Sequence, residues 1–228
     1  MTGRVLLSTA YLPPAEYFHR MISADEVLVE REENYIKQTY RNRCYILGSS
    51  GPHLLTVPVC LGSFHKTPVR DLRIDYSKRW QQVHRGAIMS AYRSSPYYMY
   101  YHQAIDDILL KGCRFLIDLN MNLLESVLEI IKLDVNVSYT EKFEPPDNHA
   151  SDYRYKISPK RSAEYEPEPY TRVFGGGDDM AGRISIIDLI FNTGPLSLKY
   201  LGGDPGEQYK KKSHPAAGSS FQGSQTKL

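Results

Sequence analysis

The chain has 228 residues and a mass of 26.1 kDa, with 41% hydrophobic and 24% charged residues, enough to bury a sizeable core and at the upper end of what one domain holds. Its net charge is +2, and residues 203–228 account for it with four lysines against two acids; the body is neutral, which argues against a long basic face that wraps nucleic acid and leaves a small anionic ligand open. No apolar run approaches the roughly 20 residues of a membrane span, the segment before Ser8 and Thr9 is too short for a secretory signal, and Cys44, Cys60 and Cys113 lack any C-x-x-C spacing, so a cytoplasmic protein with reduced thiols is expected.

Val5-Leu6-Leu7 predicts a strand that runs out at Pro13-Pro14, and the spacing of Tyr17, Phe18, Met21 and Ile22 predicts a helix after it. Glu26–Glu30 predicts a second strand. Arg43–Leu47 and Leu54–Val59 flank Gly48-Ser49-Ser50-Gly51-Pro52 and read as a hairpin, with Pro58 forcing an edge or a bulge because it has no N–H to donate. Arg73–Tyr76 is one more short strand. Trp80, Val83, Ala87, Ile88 and Ala91 form a helical stripe ending near Ser94-Ser95-Pro96, with another helix expected from Pro96. Leu116, Leu119, Leu123, Leu124, Val127, Leu128 and Ile131 mark the strongest amphipathic helix, and Val135–Tyr139 predicts a strand returning to the sheet.

Residues 141–172 hold five of the 14 prolines and few aliphatics, and read as an extended charged connector. Arg183–Asn192 then predicts an apolar helix, stopped by Asn192-Thr193-Gly194-Pro195, that must dock on the body. The expected fold is α/β: a mixed sheet with flanking helices in a single domain over 1–202, with the docked helix at 183–193. Residues 203–228 are expected to be a disordered tail.

Tyr35–Arg43 carries Lys37, Arg41 and Arg43 and no acid. If a strand begins near Asn42, Arg41 and Arg43 share one face and Asn42 takes the other. Two guanidiniums so placed could clamp a phosphate or carboxylate; internal ion pairs with Glu30, Glu32 or Glu33 are the alternative. Trp80, His84 and Tyr92 lie close to one helical face, where His84 could act as general acid or base or serve as a hydrogen-bonded packing residue. Tyr97–Tyr101 could stack on a base or sugar, or be core. The chain has no phosphate-binding loop, dinucleotide fingerprint, H-E-x-x-H pair or G-x-S-x-G elbow, so no metal and no cofactor is implied.

Tyr11-Leu12-Pro13, Tyr17-Phe18, Ala24-Asp25, Lys37, Asn42-Arg43, Leu55–Val59, Trp80, His84, Tyr92, Pro96 and Ser185–Pro195 fall in one collinear series over about residues 4–201. This series resembles the WbqC-like family, found in bacterial gene clusters for O-antigen and other surface polysaccharides. Many members carry His-Gln-Pro-Asn before the Tyr-Leu-Pro run, where this chain has Leu7-Ser8-Thr9-Ala10, so a catalytic imidazole would have to be His84. The resemblance implies a site made of Tyr11, Asp25, Lys37, Asn42, Arg43 and His84. The resulting expectation is a transferase moving an acyl or aminoacyl group onto an amino sugar. His84, Asn42 and Arg43 would be catalytic, and Tyr11, Asp25, Lys37, Arg41, Trp80 and Tyr92 would bind substrate. A nucleotide-sugar is the expected anionic ligand, and other polysaccharide-biosynthesis enzymes are candidate partners. A non-catalytic binding module or scaffold is the alternative.

Overall fold

In the computed structural model, which describes residues 3–61, 66–146, 151–175 and 178–204, the chain opens with β1 (Arg4–Ser8), α1 (Ala15–Ile22) and β2 (Glu26–Glu30). β1 and β2 run parallel, with Arg4 opposite Glu26 and Ser8 opposite Glu30. Parallel neighbours need a crossover, and α1 provides it. Val5, Leu7, Val27 and Val29 alternate onto one face of the sheet and join Phe18 and Met21 of α1 in the core. Arg4, Leu6, Glu26, Leu28 and Glu30 face the other way and line a cavity.

β3 (Arg43–Gly48) and β4 (Gly51–Thr56) form an antiparallel hairpin with Gly48 paired to Gly51. The turn is therefore Ser49-Ser50, tighter than the five-residue loop expected. β4 ends before Pro58, which cannot extend a ladder. Val59–Cys60, as β5, instead pairs with β6 (Arg73–Ile74).

Three helices follow: α2 (Trp80–Tyr92), α3 (Tyr98–Leu110) and α4 (Leu116–Ile131). α3 starts two residues after Pro96, because Tyr98 N–H closes a turn onto Ser95 O (3.2 Å) before the helix begins. The α4 stripe is buried from Leu116 to Ile131; each such aliphatic contributes about 1.5–3 kcal/mol on burial. β7 (Asn136–Tyr139) then pairs in parallel with β2, giving the order β1-β2-β7.

The charged segment after β7 is ordered where it is described. It crosses the sheet and reaches the far edge of β1, where Leu6 N–H donates to Ser151 O and Tyr153 N–H donates to Leu6 O, each at 2.9 Å. This adds a short parallel strip beyond β1. α5 (Ile186–Thr193) starts three residues later than the apolar run in sequence, after a 3-10 turn at Asp178–Arg183. Ile186, Ile187, Leu189, Ile190 and Phe191 are all core, so the helix docks as its composition required. Asp188 on α5 accepts from Tyr170 (2.5 Å) and Arg172 (3.0 Å), which pins the connector beside it. Gly194 ends the helix at φ +53°, and a Cβ there would lie 2.4 Å from the Tyr97 ring, so the close approach requires glycine. The expected tail lies, beyond Asp204, outside the described residues.

Candidate functional site

The loop after β1 carries Tyr11 inward. Tyr11 N–H donates to Tyr40 O (2.8 Å) and Pro13 O accepts from Ile186 N–H (2.9 Å), and between them Leu12 sits at φ +41°. A left-handed leucine stores strain of about 1–3 kcal/mol, held by its surroundings. The Tyr11 hydroxyl lies 2.8 Å from Nδ1 of His84. The His84 ring stands edge-on to Trp80 at 5.2 Å, so the helical spacing of these two residues brings them together as expected. His84 is 3% exposed. Burial pushes its pKa down to about 4, opposed by a hydrogen bond to the Thr56 backbone. That bond favours the protonated ring, so the ring donates to Thr56 and accepts at Nδ1 from Tyr11. His84 is thus neutral at pH 7 with both nitrogens engaged. Tyr92, the last residue of α2, accepts from Leu47 N–H (3.0 Å) and packs on Phe191.

The polar run before β3 disperses. Arg41 is buried in a two-pronged ion pair with Glu33, at 2.8 and 2.7 Å. This is the internal pairing that sequence left as an alternative to an anion clamp. Asn42 donates to Val57 O (2.8 Å), while its Oδ1 and the Nε of Arg43 are buried without a partner. Arg43 is half-buried opposite Thr56, so it reaches the same hairpin base that His84 touches. Lys37 and Asp25 are exposed, and Asp25 accepts from Gly3 N–H (2.8 Å) at the other end of β2. The structure therefore gathers Tyr11, His84 and Trp80, sets Asn42 and Arg43 at the hairpin base through Val57 and Thr56, and leaves Lys37 and Asp25 elsewhere. None of the nine lines the large cavity.

That cavity, of about 420 Å³, lies over the sheet face away from α1, and among the described residues no helix contributes to its lining. Parallel sheets are normally covered on both faces, so the bare face stands out. Leu6, Leu28 and Ser138 form its middle, and the segment from Glu141 to Pro145 roofs it. At the carboxyl ends of the strands, where open α/β sheets bind ligands, Glu30, Asp152 and Arg154 form its floor. Arg154 is 1% exposed and Glu30 0%. The guanidinium donates to Glu30 at 2.8 Å and to Asp152 at 2.7 Å. Thr140 Oγ1 and Glu32 N–H also donate to Glu30, at 2.8 and 2.7 Å. Burial raises the Asp152 carboxyl, yet the Arg154 guanidinium and N–H bring it net below its ordinary value, so it stays ionised. Tyr155 continues the network: its hydroxyl donates to Glu33 (3.0 Å) and its ring lies 5.7 Å from the guanidiniums of both Arg41 and Arg154. The lining sets three cations, Arg4, Lys142 and Arg154, against five carboxylates, Glu26, Glu30, Glu141, Glu144 and Asp152.

Sequence reasoning missed this floor. One signal was available: Glu26 and Glu30 share the face of Leu28 by the period of two, an unusual pair of acids on a strand otherwise made of Val and Leu. Glu26 pairs with Arg4 (3.6 Å), whereas the partner of Glu30, Arg154, sits in what reads as a solvated connector. Among the described residues no group of three His, Cys, Asp or Glu side chains is placed to hold a metal ion, and no helix is long and apolar enough to cross a membrane.

Comparison with known proteins agrees with the collinear motif series. The chain is 23% identical over 226 residues to the uncharacterized protein Rv1507c of Mycobacterium tuberculosis, covering 86% of this chain and 96% of the relative. No solved structure matches it. The model of the WbqC-like protein family matches residues 9–165, from the Tyr11 loop through the floor residues Asp152 and Arg154, and the chain belongs to that family.

Proposed function

We propose that this chain recognises the sugar portion of a surface-polysaccharide precursor in the cavity over its bare sheet face. The observation that carries the reading is the cavity itself: a concave site lined by carboxylates, the guanidiniums of Arg4 and Arg154, Lys142, the hydroxyls of Ser138 and Thr140 and the Tyr139 residue. Hydroxyl-rich ligands need such convergent donors and acceptors more than they need apolar wall. The WbqC-like resemblance supports a surface-polysaccharide precursor as the ligand. Reduced thiols at Cys44, Cys60 and Cys113 fit a cytoplasmic step.

Group transfer onto the sugar, acyl or aminoacyl, is the second reading. It is favoured by the size of the cavity, which lies in the range that takes a drug-sized ligand and so leaves space for a donor group. His84 enters this scheme as the residue that fixes the Tyr11 loop, since its nitrogens are both engaged.

The test is a titration of the full chain with a panel of nucleotide-sugars and free sugars, followed by NMR. Ser138→Trp, which fills the cavity from β7, should abolish binding while leaving the unfolding midpoint close to wild type. His84→Gln should retain binding. Sugar binding that survives Ser138→Trp would place the site elsewhere. Mass-spectrometric detection of an acylated amino sugar would favour transfer over recognition alone.

A further inference from the structure

We infer that residues 141–146 are a strap that swings off the cavity to let a ligand in and settles back over it, with Arg154 as the latch. The strap leaves β7 at Thr140, which is fixed at three points: its N–H donates to Val29 O (3.1 Å), its hydroxyl donates to Glu30 (2.8 Å), and the same hydroxyl accepts from Arg31 N–H (3.2 Å). Beyond that root the attachment changes. Residues 141–146 are all exposed, and among the described residues they make one hydrogen bond, which Glu144 O accepts from Nη1 of Arg154 at 2.9 Å. The same guanidinium lies 5.6 Å from the centre of the Phe143 ring, which is 44% exposed.

The two sides of the latch differ in freedom. Arg154 is held by Glu30 and Asp152, so it stays on the floor when the roof moves. The strap buries no apolar side chain, and a segment with so few packed contacts opens locally without unfolding the rest. Pro145 and Pro146 keep its far half extended, because each fixes its own φ and pushes the residue before it out of the helical region; neither has an N–H to give to the sheet. The strap therefore moves as a stiff piece about Thr140 instead of crumpling into the space below. Opening exchanges one hydrogen bond and one ring contact for water, and both are made to Arg154. The residue that joins the floor carboxylates thus also sets how long the roof stays down, whatever the occupant of the cavity.

The test reads access to the cavity from solvent. Ser138, on β7 and in the lining, is replaced by cysteine in the full chain, and labelling of the new thiol by a bulky maleimide is followed by peptide mass spectrometry. Exposed Cys60 is the internal reference, each rate being taken relative to that of the same thiol in denaturant. The new thiol should label more slowly than Cys60. Adding Phe143→Ala, which removes the ring contact and spares the ion pairs of Arg154, should speed it about two- to fivefold, the factor that one exposed cation–π contact supports, with Cys60 unchanged. Should Ser138→Cys disturb β7, hydrogen exchange at residues 141–144 in Phe143→Ala alone gives the same reading, faster by that factor. Labelling as fast as that of Cys60, or rates that Phe143→Ala does not change, overturns the strap. No sugar enters either measurement, so a failed strap leaves the sugar reading standing and a failed sugar titration leaves the strap.

Discussion

Two buried polar clusters lie at the same end of this fold and have been built in opposite ways. At the hairpin base, Tyr11, His84 and the Thr56 backbone form a chain in which a neutral imidazole gives one hydrogen bond and takes another. At the cavity floor, Glu30, Asp152 and Arg154 form a buried ion-pair network. The first cluster is closed, and its parts come from the loop after β1, the end of β4 and the second turn of α2. The second borders open space, and its parts come from the carboxyl ends of the strands and the segment laid back over them. A closed neutral cluster suits holding elements together; an open charged one suits meeting a ligand. The difference warns against reading catalysis from residue type alone, since the histidine is in the first cluster and the room for substrate is beside the second.

The sharpest way to break this contrast is to remove the floor guanidinium. Arg154→Met leaves Glu30 and Asp152 buried without their shared guanidinium and should cost about 3–5 kcal/mol at neutral pH. The sign with pH is opposite to that of the intact floor. In the wild type, Asp152 is held below its ordinary value, so its contribution is full above the unfolded value and is lost as pH falls through the folded one. In Arg154→Met the floor carboxyls rise instead and take up protons in the folded state first, so the stability gap to wild type should narrow as pH drops from 7 to 5. Denaturant unfolding of both proteins at those two pH values checks it; a gap that stays constant would mean that the floor carboxylates are not sensing Arg154.

The hairpin cluster has its own pH signature. His84 titrates at about 4 in the folded chain and near 6.5 when unfolded. Its contribution is therefore full above about 6.5 and is lost as pH falls toward 4, at roughly 1.4 kcal/mol per pH unit and about 3 kcal/mol in all. His84→Gln should lack this slope. If wild type and His84→Gln lose stability in parallel between pH 7 and 4, the imidazole is not held neutral.

Much of the fold was legible in the sequence, and the reason is local. The α4 stripe, the Glu26–Glu30 strand and the hairpin are patterns of period 3.6 or 2 that neighbours in the chain already determine. The docking of α5 was legible too, because Ile186–Phe191 is too apolar to stay in water. The floor was not, since Glu30 and Arg154 lie 124 residues apart and nothing local in 141–172 distinguishes a buried arginine from a solvated one. The cluster around His84 was half legible: the spacing on α2 joined Trp80 to His84, while the Tyr11 hydroxyl reached it only through the strained Leu12 turn. Arg41 and Arg43 looked like a clamp because periodicity puts them on one face; it cannot say that Glu33 will occupy one of them.

Tyr155 bridges the two regions' surroundings, and removing its hydroxyl gives a smaller effect. Tyr155→Phe keeps the ring beside Arg41 and Arg154 and deletes the bond to Glu33; the phenol's own burial, and then the Glu33 charge, push it up to about 12. A hydrogen bond to a charged group contributes about 1.5 kcal/mol or more, partly retained here because Arg41 still holds Glu33. A loss of about 1.5 kcal/mol in unfolding free energy is expected. No measurable loss would mean that Arg41 alone satisfies Glu33.

The smallest effect should come from Tyr11→Phe, and its sign is more informative than its size. Deleting one buried neutral hydrogen bond costs about 1 kcal/mol. The consequence for His84 depends on who donates. With the Tyr11 hydroxyl donating to Nδ1, its bond favours the neutral ring, so its loss must raise the His84 pKa above about 4. If Tyr11 were instead the acceptor of an Nδ1 proton, its bond would favour the imidazolium, and its loss would lower the pKa further. Following the His84 ring by NMR from pH 7 to 4 in wild type and Tyr11→Phe separates the two. A rise shortens the window over which acid destabilises the chain and confirms the closed neutral cluster; a fall would put the ring proton on Nδ1 and take away the bond the ring donates to the Thr56 backbone.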